Sequence, residues 1–188
     1  MRTDRAMTQP STYERVPADA YMTIDQRCVQ HLDKVFPLHG VMFKEPCAGR
    51  GDLICALEGV GAILEVATDL HAYEGADRRI RTGIDVFKQP PRGPGHIITN
   101  PPYDVALDMS EWMLHEAPAA WLMVLLRASQ AHVRTMRKLM AWHRFYGLAP
   151  LPFRPKWFVN GPASPRHDFS WFLWRPAHFD KQPPRLLL

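Results

Sequence analysis

The sequence predicts an α/β protein built on an open, mainly parallel twisted sheet with helices on both faces. Three observations lead there. Short apolar runs of strand length alternate with amphipathic segments of helix length. A glycine-rich turn, Gly49-Arg50-Gly51, joins the first of these runs directly to a helical segment. Residues able to bind or react (Glu45, Gly49, Gly51, Asp69, Asp85 and Asn100) fall at or just beyond the ends of the apolar runs. Open α/β sheets bind their ligands at those carboxyl ends.

Each element follows from local pattern. Residues 25 to 35 repeat apolar side chains at helical spacing (Cys28, Leu32, Val35) and read as a helix. Val41-Met42-Phe43 is a short strand that ends at Glu45-Pro46. A short helix runs from the glycine turn through Leu57, and residues 62 to 67 form the next strand, ending at Asp69. Residues 71 to 81 read as a charged helix or loop, 84 to 87 as a short strand, and 96 to 99 as a strand running into Asn100. A helix over 105 to 116, an apolar strand over 121 to 126 and a basic helix from about 129 to 145 come next, and residues 169 to 174 form the last strand. Prolines cluster at 90 to 94, 150 to 155, 162 to 165 and 183 to 184, marking loops or tails.

With 188 residues, the chain has room for one such domain, expected over residues 20 to 176, between a polar arm (1 to 19) and a tail (177 to 188). The arm carries charges and no apolar core of a signal peptide, and no run of eighteen apolar residues occurs, so a cytoplasmic protein without a membrane partner is expected. Cys28, Cys47 and Cys55 are odd in number and lack paired ligand spacing, and the nine histidines form no HExxH. Neither a disulfide framework nor a metal site is expected.

Charge divides the chain. Residues 1 to 126 hold 12 Lys/Arg and 17 Asp/Glu, a net of −5, whereas residues 127 to 188 hold 11 and 2, a net of +9. A basic region joined to an acidic one suggests a polyanionic partner met by one side of the molecule. Aromatics crowd the same third, among them Trp142, Phe145, Trp157, Phe169, Trp171 and Trp174. They serve either as base-stacking surfaces or as core of the last strands.

The glycine turn carries the first candidate site. Gly49 and Gly51 let the backbone turn tightly and approach a ligand. Asp69, 18 positions after Gly51 at the end of the next strand, suits ribose hydroxyls and so implies a nucleoside. Glu45 and Asp52 flank the glycines, and no Lys-Ser/Thr follows as in a P-loop. Carboxylates there repel a pyrophosphate but suit the ammonium and sulfonium of S-adenosylmethionine. The segment Glu45-Pro46-Cys47-Ala48-Gly49-Arg50-Gly51-Asp52-Leu53 resembles the first cofactor motif of class I methyltransferases, whose fold is Rossmann-like. The resemblance implies that Asp69, with Leu70 beside it, holds the ribose, that Asp85 accepts from the cofactor's adenine amino group, and that Val86 or Phe87 packs on its ring. Tyr21 and Thr23 resemble the family's N-terminal motif, which closes over the methionine moiety.

Asn100-Pro101-Pro102-Tyr103 is the most informative feature. Two prolines fix two φ angles and remove two donors, leaving a rigid segment with free carbonyls. An exocyclic amino nitrogen is a poor nucleophile because its lone pair is delocalised. The Asn100 side-chain oxygen and the Pro101 carbonyl, each accepting one amino hydrogen, would favour the pyramidal, attacking form. Tyr103 would stack on the target base, which must leave the helix to reach it. The tetrapeptide resembles the catalytic motif of amino-methyltransferases acting on adenine of DNA, on RNA bases or on protein glutamine amides.

For target contacts, the proline-rich segment 148 to 168 offers Arg154, Lys156, Trp157, Asn160 and Arg166, and the preceding helix offers Arg127, Arg134, Arg137, Lys138 and Arg144 for phosphates. Residues 20 to 176 resemble small phage- or prophage-encoded N6-adenine DNA methyltransferases, which implies DNA as partner and S-adenosylmethionine as cofactor. RNA or protein amide methylation, and a non-catalytic nucleic-acid-binding role, remain alternatives. Only 48 residues separate Gly51 from Asn100, too few for an inserted recognition domain.

Overall fold

The computed structural model describes residues 21 to 157, 166 to 179 and 183 to 188. The arm over residues 1 to 19, and residues 158 to 165 with Asn160, lie outside the described residues.

The elements in chain order are α1 (Arg27–Val35), β1 (Met42–Glu45), α2 (Asp52–Gly59), β2 (Ile63–Thr68), β3 (Ile80–Arg81), β4 (His96–Thr99), α3 (Ala106–Glu116) and β5 (Leu122–Arg127). A 3-10 turn (Ala128–His132), α4 (Arg134–Ala141), β6 (Phe145–Pro150), β7 (Phe169–Trp174) and β8 (Arg185–Leu186) complete them. All strands join one sheet of order β3-β2-β1-β4-β5-β7-β6-β8. The first five are mutually parallel, β7 runs antiparallel to both β5 and β6, and β8 adds parallel to β6. The order reverses between β1 and β4, so their carboxyl ends form the crevice where ligands bind in such sheets.

The two faces are sorted by the period-2 alternation of β5. Met123 and Leu125 join Cys28 and Leu32 of α1 and Ile54 and Leu57 of α2 in one core, with Trp171 and Leu173 of β7. Leu122, Val124 and Leu126 join Met109 and Met113 of α3 and Met136 and Leu139 of α4 in the other, with Phe172 and Trp174. Every side chain of β7 is buried, so the aromatics of this strand are core. Two of them anchor their ends: the Trp171 indole donates to the Cys28 carbonyl (2.9 Å) and that of Trp174 to the Leu139 carbonyl (3.0 Å).

Four expectations differ from the structure. Residues 84 to 87 form no strand; Asp85 instead accepts the Phe87 amide with its carboxylate (3.0 Å) and the Gln89 amide with its carbonyl (2.8 Å), closing a turn. One edge strand, β3, lies within the segment read as charged helix or loop. The basic helix is split and shorter, and Phe145 opens β6, whose buried Phe145, Gly147 and Ala149 alternate with half-buried neighbours. That strand exists through its pairing with β7 and β8, which no local pattern announces. The tail is not wholly a tail, because β8 lies so close to Gly147 that a Cβ there would meet the Arg185 carbonyl oxygen at 2.2 Å.

Candidate functional site

The loop after β1 is shaped by its glycines. Gly49 and Gly51 have φ of +56° and +98°, the left-handed region that disfavours other residues. At Gly49 a Cβ would sit 2.4 Å from the Met22 sulfur, so the segment before α1 packs directly on the loop. Asp69 braces the turn from the end of β2: one carboxylate oxygen accepts the Gly49 amide and the other the His71 amide, both at 2.8 Å. Each of those oxygens can accept a second bond.

Glu45 is 1% exposed. Its Oε1 accepts the Thr99 hydroxyl (2.7 Å) and the Cys47 amide (3.1 Å), while Oε2 is buried without a partner among the described residues. Burial pushes this carboxyl up to about 8, against the opposing pull of its two donors. It stands under the loop as a carboxylic acid that burial holds in its neutral form near pH 7.

A cleft opens beside the loop across the carboxyl ends of β1, β2 and β4. Its walls include Tyr21, Pro46, Cys47, Gly49, Asp69, Leu70, Asp85, Val86, Phe87 and Asn100, all named from the sequence. Glu45, Ala48, Gly51 and Thr23, also expected at the cofactor, are buried and do not line it, whereas Pro102 of the tetrapeptide does. Asp52 is not in the cleft; it opens α2 and faces Arg50 at 3.5 Å, so the carboxylates facing the cleft are Asp69, Asp85 and Asp104. The lining residues not named from the sequence are Met22, His71, Tyr73, Ile84, Asp104, Val105 and Met109. Met22, between Tyr21 and Thr23, and Asp104, next to the tetrapeptide, had a signal in their position. The turn carrying Asp85 is tied to α3 by the Trp112 indole, which donates to the Val86 carbonyl at 3.0 Å. This cleft offers carboxylates for hydroxyls or positive charge and an apolar wall for a flat ring.

Asn100 leaves β4 at the cleft's far side. Its Nδ2 donates to the Tyr21 carbonyl (2.8 Å) and the Thr23 hydroxyl (3.0 Å), while Oδ1 is buried and has no partner among the described residues. An unsatisfied buried acceptor costs about 1–3 kcal/mol, which a donor brought by a ligand relieves. Tyr103 is stacked on Tyr21 (ring centroids 5.1 Å, 24° between planes), and the Arg127 guanidinium lies 4.4 Å from its ring centre. Trp157 stands edge-on to Tyr21 at 6.3 Å and packs on Phe169 at 4.8 Å. An aromatic cluster from four parts of the chain is therefore joined to Asn100 through Tyr21, whose carbonyl accepts from the Asn100 amide.

The basic side chains part company. Arg134, Arg137 and Lys138 are exposed on α4, as are Lys156 and Arg166 on the far loop. Arg154 pairs with Asp168 at 2.8 Å. Arg127 lies at the tetrapeptide instead of on a helix. Arg144 corrects the phosphate expectation: it is 2% exposed and donates to the carbonyls of Leu114, Ala120 and Arg175, tying α3 to β7. Among the described residues no cluster of His, Cys, Asp or Glu could hold a metal, and no helix is long and apolar enough to cross a membrane.

No family model matches the sequence, and no curated protein matches it. Solved structures share its fold. A candidate class I S-adenosylmethionine-dependent methyltransferase from Listeria monocytogenes superposes with a TM-score of 0.62 at 15% identity, over 92% of this chain and 66% of that one. A candidate RNA methyltransferase from Pyrococcus horikoshii gives 0.56 at 13% identity, over 80% and 82%. The M protein of the Type I restriction enzyme EcoKI gives 0.53 at 13% identity, over 85% of this chain and 43% of that one. The fold is thus the Rossmann-like one of class I methyltransferases.

Proposed function

We propose that this chain is an S-adenosylmethionine-dependent methyltransferase that modifies the exocyclic N6 amino group of adenine in DNA. The observation that carries the reading is the Asn100 oxygen, a buried acceptor with no partner among the described residues, at the edge of the cleft. The cleft fits the cofactor by its chemistry. Asp69 has acceptor capacity left for ribose hydroxyls, Val86 and Phe87 supply an apolar wall beside Asp85 for the adenine ring, and Asp104 suits a positively charged end. Bound there, the cofactor supplies an electrophilic methyl group on a sulfonium.

The chain's own residues prepare the nucleophile. Asn100 Oδ1 and the Pro101 carbonyl each accept one amino hydrogen, which draws the nitrogen lone pair out of the ring and towards the cleft. No strong base is needed, because the methylated ammonium is acidic enough to lose its proton to water. Tyr103 and Trp157 offer stacking worth roughly 1–3 kcal/mol per base, offsetting part of the cost of extruding the base. The fold shared with a candidate RNA methyltransferase supports RNA as the second reading of the polymer.

Incubation with DNA and S-adenosylmethionine, followed by mass spectrometry of the digested nucleosides, tests the proposal. N6-methyladenine is expected from the native chain, and at least about a hundredfold less from Asn100→Ala, the scale of losing one transition-state hydrogen-bonding group. Absence of methyladenine from DNA, with methyl transfer to RNA, would replace the first reading by the second.

A further inference from the structure

An asparagine amide can face a substrate with either end. Only the oxygen accepts from an amino group; the NH2 end would meet the target's hydrogens with its own. In this structure both Nδ2 hydrogens of Asn100 are committed to the segment before α1, at 2.8 Å to the Tyr21 carbonyl and 3.0 Å to the Thr23 hydroxyl. Thr23 is 3% exposed, so water does not compete for that bond.

We infer that Thr23 is a positioning residue for the methyl-transfer step, holding the Asn100 amide so that Oδ1 is presented to the target amino group. The inference rests on the functional reading above. With the amide turned over, Oδ1 would face the Tyr21 carbonyl, oxygen against oxygen, and the buried NH2 would lose both acceptors. The carbonyl sets the orientation and Thr23 holds it. Without the hydroxyl, one Nδ2 hydrogen is left unsatisfied in a buried place and the amide is free to twist away. The same segment touches the cofactor cleft, since Tyr21 and Met22 line it and Met22 packs on Gly49. A segment resembling a cofactor motif therefore also orients the catalytic amide.

The test compares Thr23→Val, which keeps the shape and removes the acceptor, with Thr23→Ser, which keeps the hydroxyl. Methyl transfer is followed on DNA and RNA, and affinity for S-adenosylmethionine is measured by calorimetry. Thr23→Val is expected to lower kcat at least tenfold, a larger factor than any loss of S-adenosylmethionine affinity, and Thr23→Ser to restore most of the rate. In an Asn100→Ala background Thr23→Val should cost nothing further, because the group it positions is gone. A native rate in Thr23→Val, or the same fractional loss in the Asn100→Ala background, overturns the inference while leaving the functional reading standing. Should Thr23→Val fail to fold, Thr23→Ala set against Thr23→Ser decides the same point. A native chain that methylates neither DNA nor RNA overturns the functional reading and this inference with it.

Discussion

Glu45 shows how one residue's setting alters its chemistry. In the unfolded chain its carboxyl titrates in the usual range, but in the fold burial raises it to about 8. The native state therefore holds a proton that the unfolded state has released between those values, and stability falls as pH rises through that window. Urea unfolding of the ligand-free protein should show that Glu45→Gln removes a loss of stability between about pH 5 and about pH 8. The effect is read as the difference between the two curves, because His31, His96 and His167, lowered by burial, act in the opposite sense. A difference between the native and Glu45→Gln curves that does not fall with pH there would count against a buried, uncompensated Glu45. A cationic ligand reverses the preference by favouring the ionised form, so binding should release a proton near neutral pH. Asn100 was legible from the sequence because two prolines beside it restrict the backbone. The partners of its side chain were not, since Tyr21 and Thr23 lie 79 and 77 positions earlier.

Among the elements, the loop between β1 and α2 is restricted by its glycines. Gly49 combines a positive φ with a space filled by Met22, so Gly49→Ala is strained and displaces that side chain. Calorimetry should find at least tenfold weaker S-adenosylmethionine binding with the fold retained, whereas unaltered affinity would mean the loop does not shape the site. Glycines at such a turn are visible in any sequence. The fate of residues 134 to 150 was not, because helix and strand there share similar composition and only the neighbouring β7 decides where one stops. Arg144 illustrates the cost of reading charge without burial: within a basic stretch it looks like a phosphate contact, yet it is spent on three carbonyls in the interior.

Across the whole molecule, the exposed cations of α4 and the loop before β7 lie in the basic C-terminal third. If Arg134, Arg137 and Lys138 each neutralise one phosphate, changing all three to alanine should weaken binding to duplexes of any sequence. It should also flatten the slope of log affinity against log salt by about 2.7, at roughly 0.9 per phosphate. An unchanged slope would move the DNA path elsewhere. By itself the sequence determined the alternation of strands and helices, the glycine turn and the rigid tetrapeptide, because each is written in short-range periodicity or in residues whose backbone is restricted. Tertiary structure alone decided that Asp52 lies outside the cleft lining, that Arg127 lies on Tyr103, and that the segment before α1 grips the Asn100 amide. Those outcomes depend on which distant side chains share a buried space, and burial is a property of the packed chain that no local pattern encodes.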